Sequence, residues 1–288
     1  MEFLSENIEK DGFAVIENLF TSQECEEMIK EIRQVIQTTN NATKRVIFKA
    51  TAENDAPQAK EKYFLDSAHK ISFFFEEGSV DEDGKLAVAE EYLALNKIGH
   101  ALHALNGVFG KYTFDERIKN ICRSLDLVDP KVCQSMFIFK NPRIGGEVTP
   151  HQDASYLHTS PQSLYGIWIA LEDATIENGC LWFHKGSHKG PLFKRLIRNP
   201  DKSSDILTIY TGENIEFNEE NYVPVSVNKG SCVVIHGKVL HFSKPNTSPI
   251  SRNIYTFHVY DDHQTTFSEE NWTQPTEKTP YMSVFNKN

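Results

Sequence analysis

The 288-residue chain is 39% hydrophobic and 24% charged, with a formal net charge of -10. It is long enough to bury a large core in one domain spanning 1–288. The acidic balance argues against general nucleic-acid binding and against an anionic membrane surface, both of which need clustered Lys and Arg. Five cysteines (Cys25, Cys122, Cys133, Cys180 and Cys232) are odd in number and sit in apolar runs, the pattern of free thiols in a reduced compartment. No apolar run approaches the roughly 20 residues of a bilayer span. Neither Met1–Asn7 nor the end Phe285–Asn288 reads as a secretory or peroxisomal signal, so a soluble cytoplasmic protein without membrane partners is expected.

Asp11–Phe20 alternates as a strand, and Thr21-Ser22-Gln23-Glu24 then forms a capping box ahead of a helix. Cys25, Met28, Ile29, Ile32, Val35 and Ile36 fall on one stripe of that helix, which should cover a sheet. Thr38–Phe64 is polar and reads mostly as loop, with one short strand at Arg45–Lys49. Lys70–Glu76 is a further strand, and Asp81-Glu82-Asp83-Gly84 is an acidic turn with too few oxygen ligands for calcium. Glu90–Leu127 takes helical periodicity in two pieces broken near Asn106-Gly107. His100 and His103 on the first piece have no partner Glu or third histidine at helical spacing and read as structural.

After Pro130 the chain becomes a series of short β runs: 132–140, 146–153, 166–171, 180–183, 222–227, 231–236, 241–244 and 254–260. Eight such strands make a two-sheet jelly roll, a double-stranded β-helix, with a helical and mixed part, 1–130, packed on the core 131–288. The polar excursion Lys189–Asn221 reads as a lid over its mouth.

Within these runs, His151 and Asp153 stand two residues apart in Thr149-Pro150-His151-Gln152-Asp153-Ala154, so a strand would point both to one face. His241 supplies a third ligand, with His236 ranked behind it because Gly237-Lys238 turns the chain away from Ser243 and Arg252. Two histidines and one carboxylate form the facial triad of non-haem Fe(II) oxygenases, with positions left for a co-substrate and dioxygen. Arg252 follows His241 by eleven positions. If the two sit on antiparallel neighbours, the guanidinium can grip a small dicarboxylate, with Ser243 as a second donor. His184 and His188 flank Gly186-Ser187 and read as a turn, and His258 as a hydrogen-bonded core histidine.

These residues resemble the phytanoyl-CoA dioxygenase family of Fe(II)- and 2-oxoglutarate-dependent oxygenases. The match runs from Asp11-Gly12-Phe13 through Asn96–His103, Gln134-Ser135-Met136, Gly145–Val148, His151–Ser155 and Glu177–Phe183 to the distal His and Arg. The resemblance implies a double-stranded β-helix, Fe(II) on His151, Asp153 and His241, and 2-oxoglutarate on Arg252 and Ser243, with ascorbate as an auxiliary reductant. It also implies that Lys97, Met136 and Trp168 complete the co-substrate pocket, Lys97 as a cation and the others as walls. Lys185-Gly186-Ser187-His188 departs from the family's Pro-Gly-Ser-His and is expected to loosen a turn near the mouth.

The implied reaction hydroxylates a C–H bond while 2-oxoglutarate becomes succinate and carbon dioxide, and Asp153 disfavours halogenation, which vacates the carboxylate position. Two rivals are a cupin-like metal enzyme without 2-oxoglutarate, which has no use for Arg252, and a silent metabolite-binding relative, which would have lost a ligand. No segment forms a recognisable CoA cradle, and the acidic balance with the absent peroxisomal signals makes a cytosolic small-molecule or protein-side-chain substrate the expectation. Oligomeric state is not legible in the sequence.

Overall fold

Most of the β segments assemble into two packed sheets because their alternating side chains have two apolar layers to fill, one between the sheets and one under the helices, and two further strand pairs stand apart from them. In the computed structural model, residues 2–39, 45–51 and 56–286 are described. Positions 40–44 and 52–55 of the expected loop, and the last two residues of the chain, lie outside the described residues. The helices are α1 (Glu2–Asp11), α2 (Ser22–Thr38), α3 (Lys62–Asp66), α4 (Glu91–Ala94), α5 (Leu102–Leu105), α6 (Gly107–Thr113) and α7 (Glu116–Ser124). The first strands are β1 (Phe13–Ile16), β2 (Val46–Ile47), β3 (Ile71–Phe75), β4 (Leu95–His100), β5 (Pro130–Ile138), β6 (Val148–His151), β7 (Thr159–Ser160), β8 (Leu164–Ala170) and β9 (Leu181–Phe183). They are followed by β10 (Lys194–Arg198), β11 (Thr208–Gly212), β12 (Val223–Val225), β13 (Cys232–His236), β14 (His241–Ser243), β15 (Ile254–Asp261), β16 (Thr266–Phe267) and β17 (Met282–Ser283).

The major sheet runs β1-β13-β8-β15-β5-β4-β3-β2, with β17 added beside β5, and the minor sheet runs β12-β9-β14-β6. This is the expected double-stranded β-helix. Side chains of β15 show how the layers divide: Tyr255, Phe257 and Val259 join one core with Met28 and Ile32 of α2, Phe109 of α6 and Ile121 of α7. Ile254 instead joins Trp168, Val233 and Phe183 in the core between the sheets. Phe13 of β1 stacks on Phe183 of β9 at 4.1 Å, tying major sheet to minor. All five cysteines are free and buried, as their apolar setting implies.

The stretch expected to be helical from Glu90 to Leu127 is interrupted by β4, which pairs with β3 on one side and β5 on the other. Tertiary pairing overrides local periodicity here, since Ile98 is fully buried where it meets Phe137 and Phe73, while Leu105, seven residues on and so near the same face of a helix, is 54% exposed. The break at Asn106 is real, because its side chain caps α6 through Val108 and Phe109. The excursion Lys189–Asn221 is built around the β10–β11 hairpin.

The capping box is formed as expected: Glu24 N–H donates to Thr21 Oγ1 and Thr21 N–H to Glu24 Oε2. Glu24 also pairs with Arg117 of α7 at 2.7 Å. Thr21→Ala should therefore cost about 1 kcal/mol of stability, read as a lowered urea midpoint with an unchanged m-value. An unaltered midpoint would show that α2 is held by packing alone.

Candidate metal centre and adjoining cavity

His151 ends β6 and His241 begins β14, and the two are direct cross-strand partners in the minor sheet. Their rings lie 4.2 Å apart. Each Nδ1 faces a backbone carbonyl two residues earlier, His151 that of Thr149 at 2.8 Å and His241 that of Val239 at 3.1 Å. A carbonyl accepts only, so Nδ1 carries the proton and Nε2 is left as a lone pair. Burial and the neighbouring His151 lower the His241 imidazole to about 4, which keeps that lone pair free at neutral pH.

Asp153 completes the cluster. It lies just past the strand, in a short 3-10 turn over Asp153–Ser155, so the carboxylate is aimed by that turn and not by strand alternation as expected. Gln152 fixes the turn: buried, it donates to the carbonyls of Pro191 and Lys238 and accepts from Phe193 N–H. Asp153 Oδ1 stands 3.6 Å from His151 Nε2 and 3.7 Å from His241 Nε2. Burial raises the carboxyl's pKa, but the histidines around it, His258 at 3.2 Å foremost, hold it well below the ordinary value. Ligand atoms of the three residues all lie within 4.8 Å of one another. Two lone-pair imidazoles and one ionised carboxylate fit a divalent transition ion.

Inward-facing rows of the major sheet lead away from this cluster. Gly166, His258 and Gln134 align across β8, β15 and β5; Trp168, Thr256, Met136 and Gly99 form the next row; Ala170, Ile254, Ile138 and Lys97 the third. Successive rows are about 7 Å apart, two residues of rise. Met136 and Trp168 thus stand between the carboxylate end and the Lys97 end. A cavity of about 160 Å³ runs along these rows, lined by His151, Asp153, His258, Met136 and Lys97, with Leu196, Thr208 and Tyr210 of the hairpin and Tyr156 and Trp272 closing it. The expected lid therefore takes part in the cavity wall.

Two cations are buried in this part of the fold, Lys97 in the cavity lining and Arg252 outside it. Lys97 Nζ lies 3.2 Å from the centroid of Phe48, and burial lowers its pKa to about 7. Arg252, 2% exposed, has its guanidinium 5.5 Å from the Trp168 ring, its Nε has no hydrogen-bond partner, and burial lowers its pKa to about 10. Among the described residues neither makes an ion pair. A third cation, not singled out in the sequence, is satisfied: Lys140 Nζ donates to Ser243 Oγ at 2.7 Å and to the carbonyls of Gly146 and Lys244.

Arg252 and His241 do not sit on antiparallel neighbours. His241 belongs to the minor sheet and Arg252 leads into β15 of the major sheet, because the chain crosses from one sheet to the other between them. Trp168, Ser243 and Arg252 also stand outside the cavity lining formed by Lys97 and Met136. His236 is kept away from the cluster, its Nδ1 accepting from Lys238 N–H. His100 and His103 bond to Ser67 and Ser135. The turn at Lys185–His188 is not loosened: Ser187 Oγ accepts from Leu240 N–H, and Gly186 N–H donates to the Asp11 carbonyl.

A double-stranded β-helix with two histidines and a carboxylate converging beside an interior cavity is the architecture of the non-haem iron oxygenase class. Among solved structures, the non-heme monooxygenase ThoJ in its apo form shares the fold with a TM-score of 0.63 at 19% identity, over 99% of this chain and 84% of that one. The epimerase SnoN, in complex with Fe3+, alpha ketoglutarate and nogalamycin RO, does so with a TM-score of 0.62 at 15% identity, over 98% and 97%. The chain belongs to the phytanoyl-CoA dioxygenase (PhyH) family, whose model matches residues 8–254. Phytanoyl-CoA dioxygenase domain-containing protein 1 of Danio rerio is 42% identical over 278 residues, covering 96% of this chain and 95% of the relative. Among the described residues no helix is long and apolar enough to cross a membrane.

Proposed function

We propose that the chain is an Fe(II)- and 2-oxoglutarate-dependent dioxygenase of hydroxylase type, acting as one catalytic unit. The observation that carries this reading is the pairing of a preset His-Asp-His cluster with two buried cations that make no ion pair among the described residues. When bound, the iron and 2-oxoglutarate supply oxygen-dependent decarboxylation to succinate and carbon dioxide, coupled to oxidation of a C–H bond. The chain's own part is placement. His151, Asp153 and His241 hold the ion, Lys97 and Arg252 draw in a dianion with Ser243 as a neutral donor, Met136 lines the space, and Trp168 backs the Arg252 guanidinium.

Lys140 supports Ser243 by donating to its oxygen, which leaves the hydroxyl proton free for a carboxylate. Tyr156 and Tyr210, hydrogen-bonded to each other at 3.3 Å, close the cavity beside His151 and exclude water. We propose a small-molecule or protein-side-chain substrate met in the cytoplasm, with ascorbate as auxiliary reductant. The test is oxygen-dependent conversion of 2-oxoglutarate to succinate over candidate substrate pools, with label from isotopic dioxygen followed into product. Turnover without label in product would favour the kind of outcome named for the epimerase SnoN.

Lys97 gives a prediction with two opposite signs. Its folded pKa lies near 7 against an ordinary 10.5. Between those values the unfolded chain binds the extra proton, so apoprotein stability should rise with pH across that window. Lys97→Met removes a buried, unpaired charge and should raise the apoprotein Tm by a few degrees. The same change should weaken 2-oxoglutarate by about tenfold or more, the worth of one charge-assisted bond. Calorimetry and anaerobic titration read the two effects, and an unchanged 2-oxoglutarate affinity would take Lys97 out of the site.

A further inference from the structure

The reading of His258 as an ordinary core histidine is correct in burial and incomplete in function. Its Nε2 stands 3.2 Å from Asp153 Oδ2, the carboxylate oxygen turned away from His151 and His241. Its Nδ1 lies 3.1 Å from the amide nitrogen of Gln134, which is 6% exposed. An amide nitrogen donates only, so Nδ1 accepts and Nε2 carries the proton toward Asp153. The far side of the carboxylate is closed by Gly166: a Cβ built there would meet Oδ2 at 2.9 Å and His258 Nε2 at 3.5 Å.

From this arrangement we infer that His258 is a positioning residue that holds Asp153 as a one-oxygen ligand. The inference rests on the reading of His151, Asp153 and His241 as a metal site. With Oδ2 engaged by His258 in a space that only a glycine at 166 leaves open, Oδ1 alone is presented to the ion. A carboxylate free to turn would bind through both oxygens and take a coordination position that a chelating co-substrate needs. Gln134 and His258 are register partners across β5 and β15, so the relay is set by strand pairing and needs no loop to order. A histidine chosen only to fill apolar space would not need both nitrogens matched to donors and acceptors of the correct sense.

The probe is Co(II), titrated into metal-free protein and followed by affinity and by its d–d absorption, with no turnover required. His258→Leu should weaken Co(II) by roughly 10- to 100-fold, the usual cost of losing a hydrogen bond to a metal ligand. Its d–d bands should shift as Asp153 turns. His258→Gln places an amide N–H near the position of Nε2 and should stay within a few-fold of wild type with wild-type bands. His258→Asn, whose amide stops short of Asp153, should resemble the leucine variant and serves if leucine does not fold. Folded His258→Leu or His258→Asn protein with wild-type affinity and bands overturns the inference, as does His258→Gln as weak as the leucine variant. Asp153→Ala is the separate control: if it binds Co(II) as the wild type does, the metal site itself is misassigned and the inference falls with it.

Discussion

Asp153→Ala and His241→Ala are each expected to abolish Fe(II) binding and 2-oxoglutarate decarboxylation together. Among the described residues the site offers three ligand side chains, and each is fixed before any ion arrives: the histidines by backbone carbonyls, the carboxylate by its turn. Removing one leaves two ligands, too few to hold a labile divalent ion against water. The fold should survive, because alanine at 153 removes a buried carboxylate and leaves the cross-strand pair His151 and His241 in register. The measurements are metal content after anaerobic loading and succinate formation, with circular dichroism to confirm folding. Full decarboxylase activity in either folded variant would remove the triad.

Arg252→Ala should separate the co-substrate from the metal. The guanidinium is buried, touches no protein carboxylate among the described residues, and stands beside the Trp168 ring. A buried charge that loses its partner typically costs about 2–5 kcal/mol, and about 1.4 kcal/mol is tenfold in affinity. The variant should therefore weaken 2-oxoglutarate by about one and a half to three and a half powers of ten while Fe(II) affinity stays near wild type. No partner is orphaned by the change, so any loss of stability comes from the cavity left by one of the largest fully buried side chains. Lysine should rescue only partly, since it keeps the charge and loses the planar fork. Paired titrations of iron and 2-oxoglutarate, read by the absorbance of the anaerobic ternary complex, check this. Unchanged 2-oxoglutarate affinity would return a cupin-like enzyme without that co-substrate to first place.

Much of the site is legible in the sequence because its parts are local. His-x-Asp spacing survives although Asp153 leaves the strand, since a strand end and a 3-10 turn still bring the two side chains together. Partners set by register are hidden. Nothing near His258 in the chain points to Gln134 or Asp153, and nothing near Lys140 points to Ser243. Leu95–His100 carries Ile98 at a spacing that also suits a helix, and only the strands on either side decide for β4. That Lys97 and Arg252 make no ion pair among the described residues is likewise a property of the packed interior. The β10–β11 hairpin is obscured by its charged ends and by the polar turn Asn199–Ser204 between its strands.

The pairing of His151 with His241 has a consequence for how the protein ages. An ion bound there would clasp β6 to β14, two short strands whose mutual register already shifts between His241 and Ser243. β6 is the edge strand of the minor sheet and only half-buried, so of the two it is the one placed to open first. A bound ion stabilises by mass action and is lost whenever that edge opens. Iron supply would then set the lifetime of the polypeptide as well as its turnover number, and a starved cell would hold fewer copies, each more readily cut at this rim.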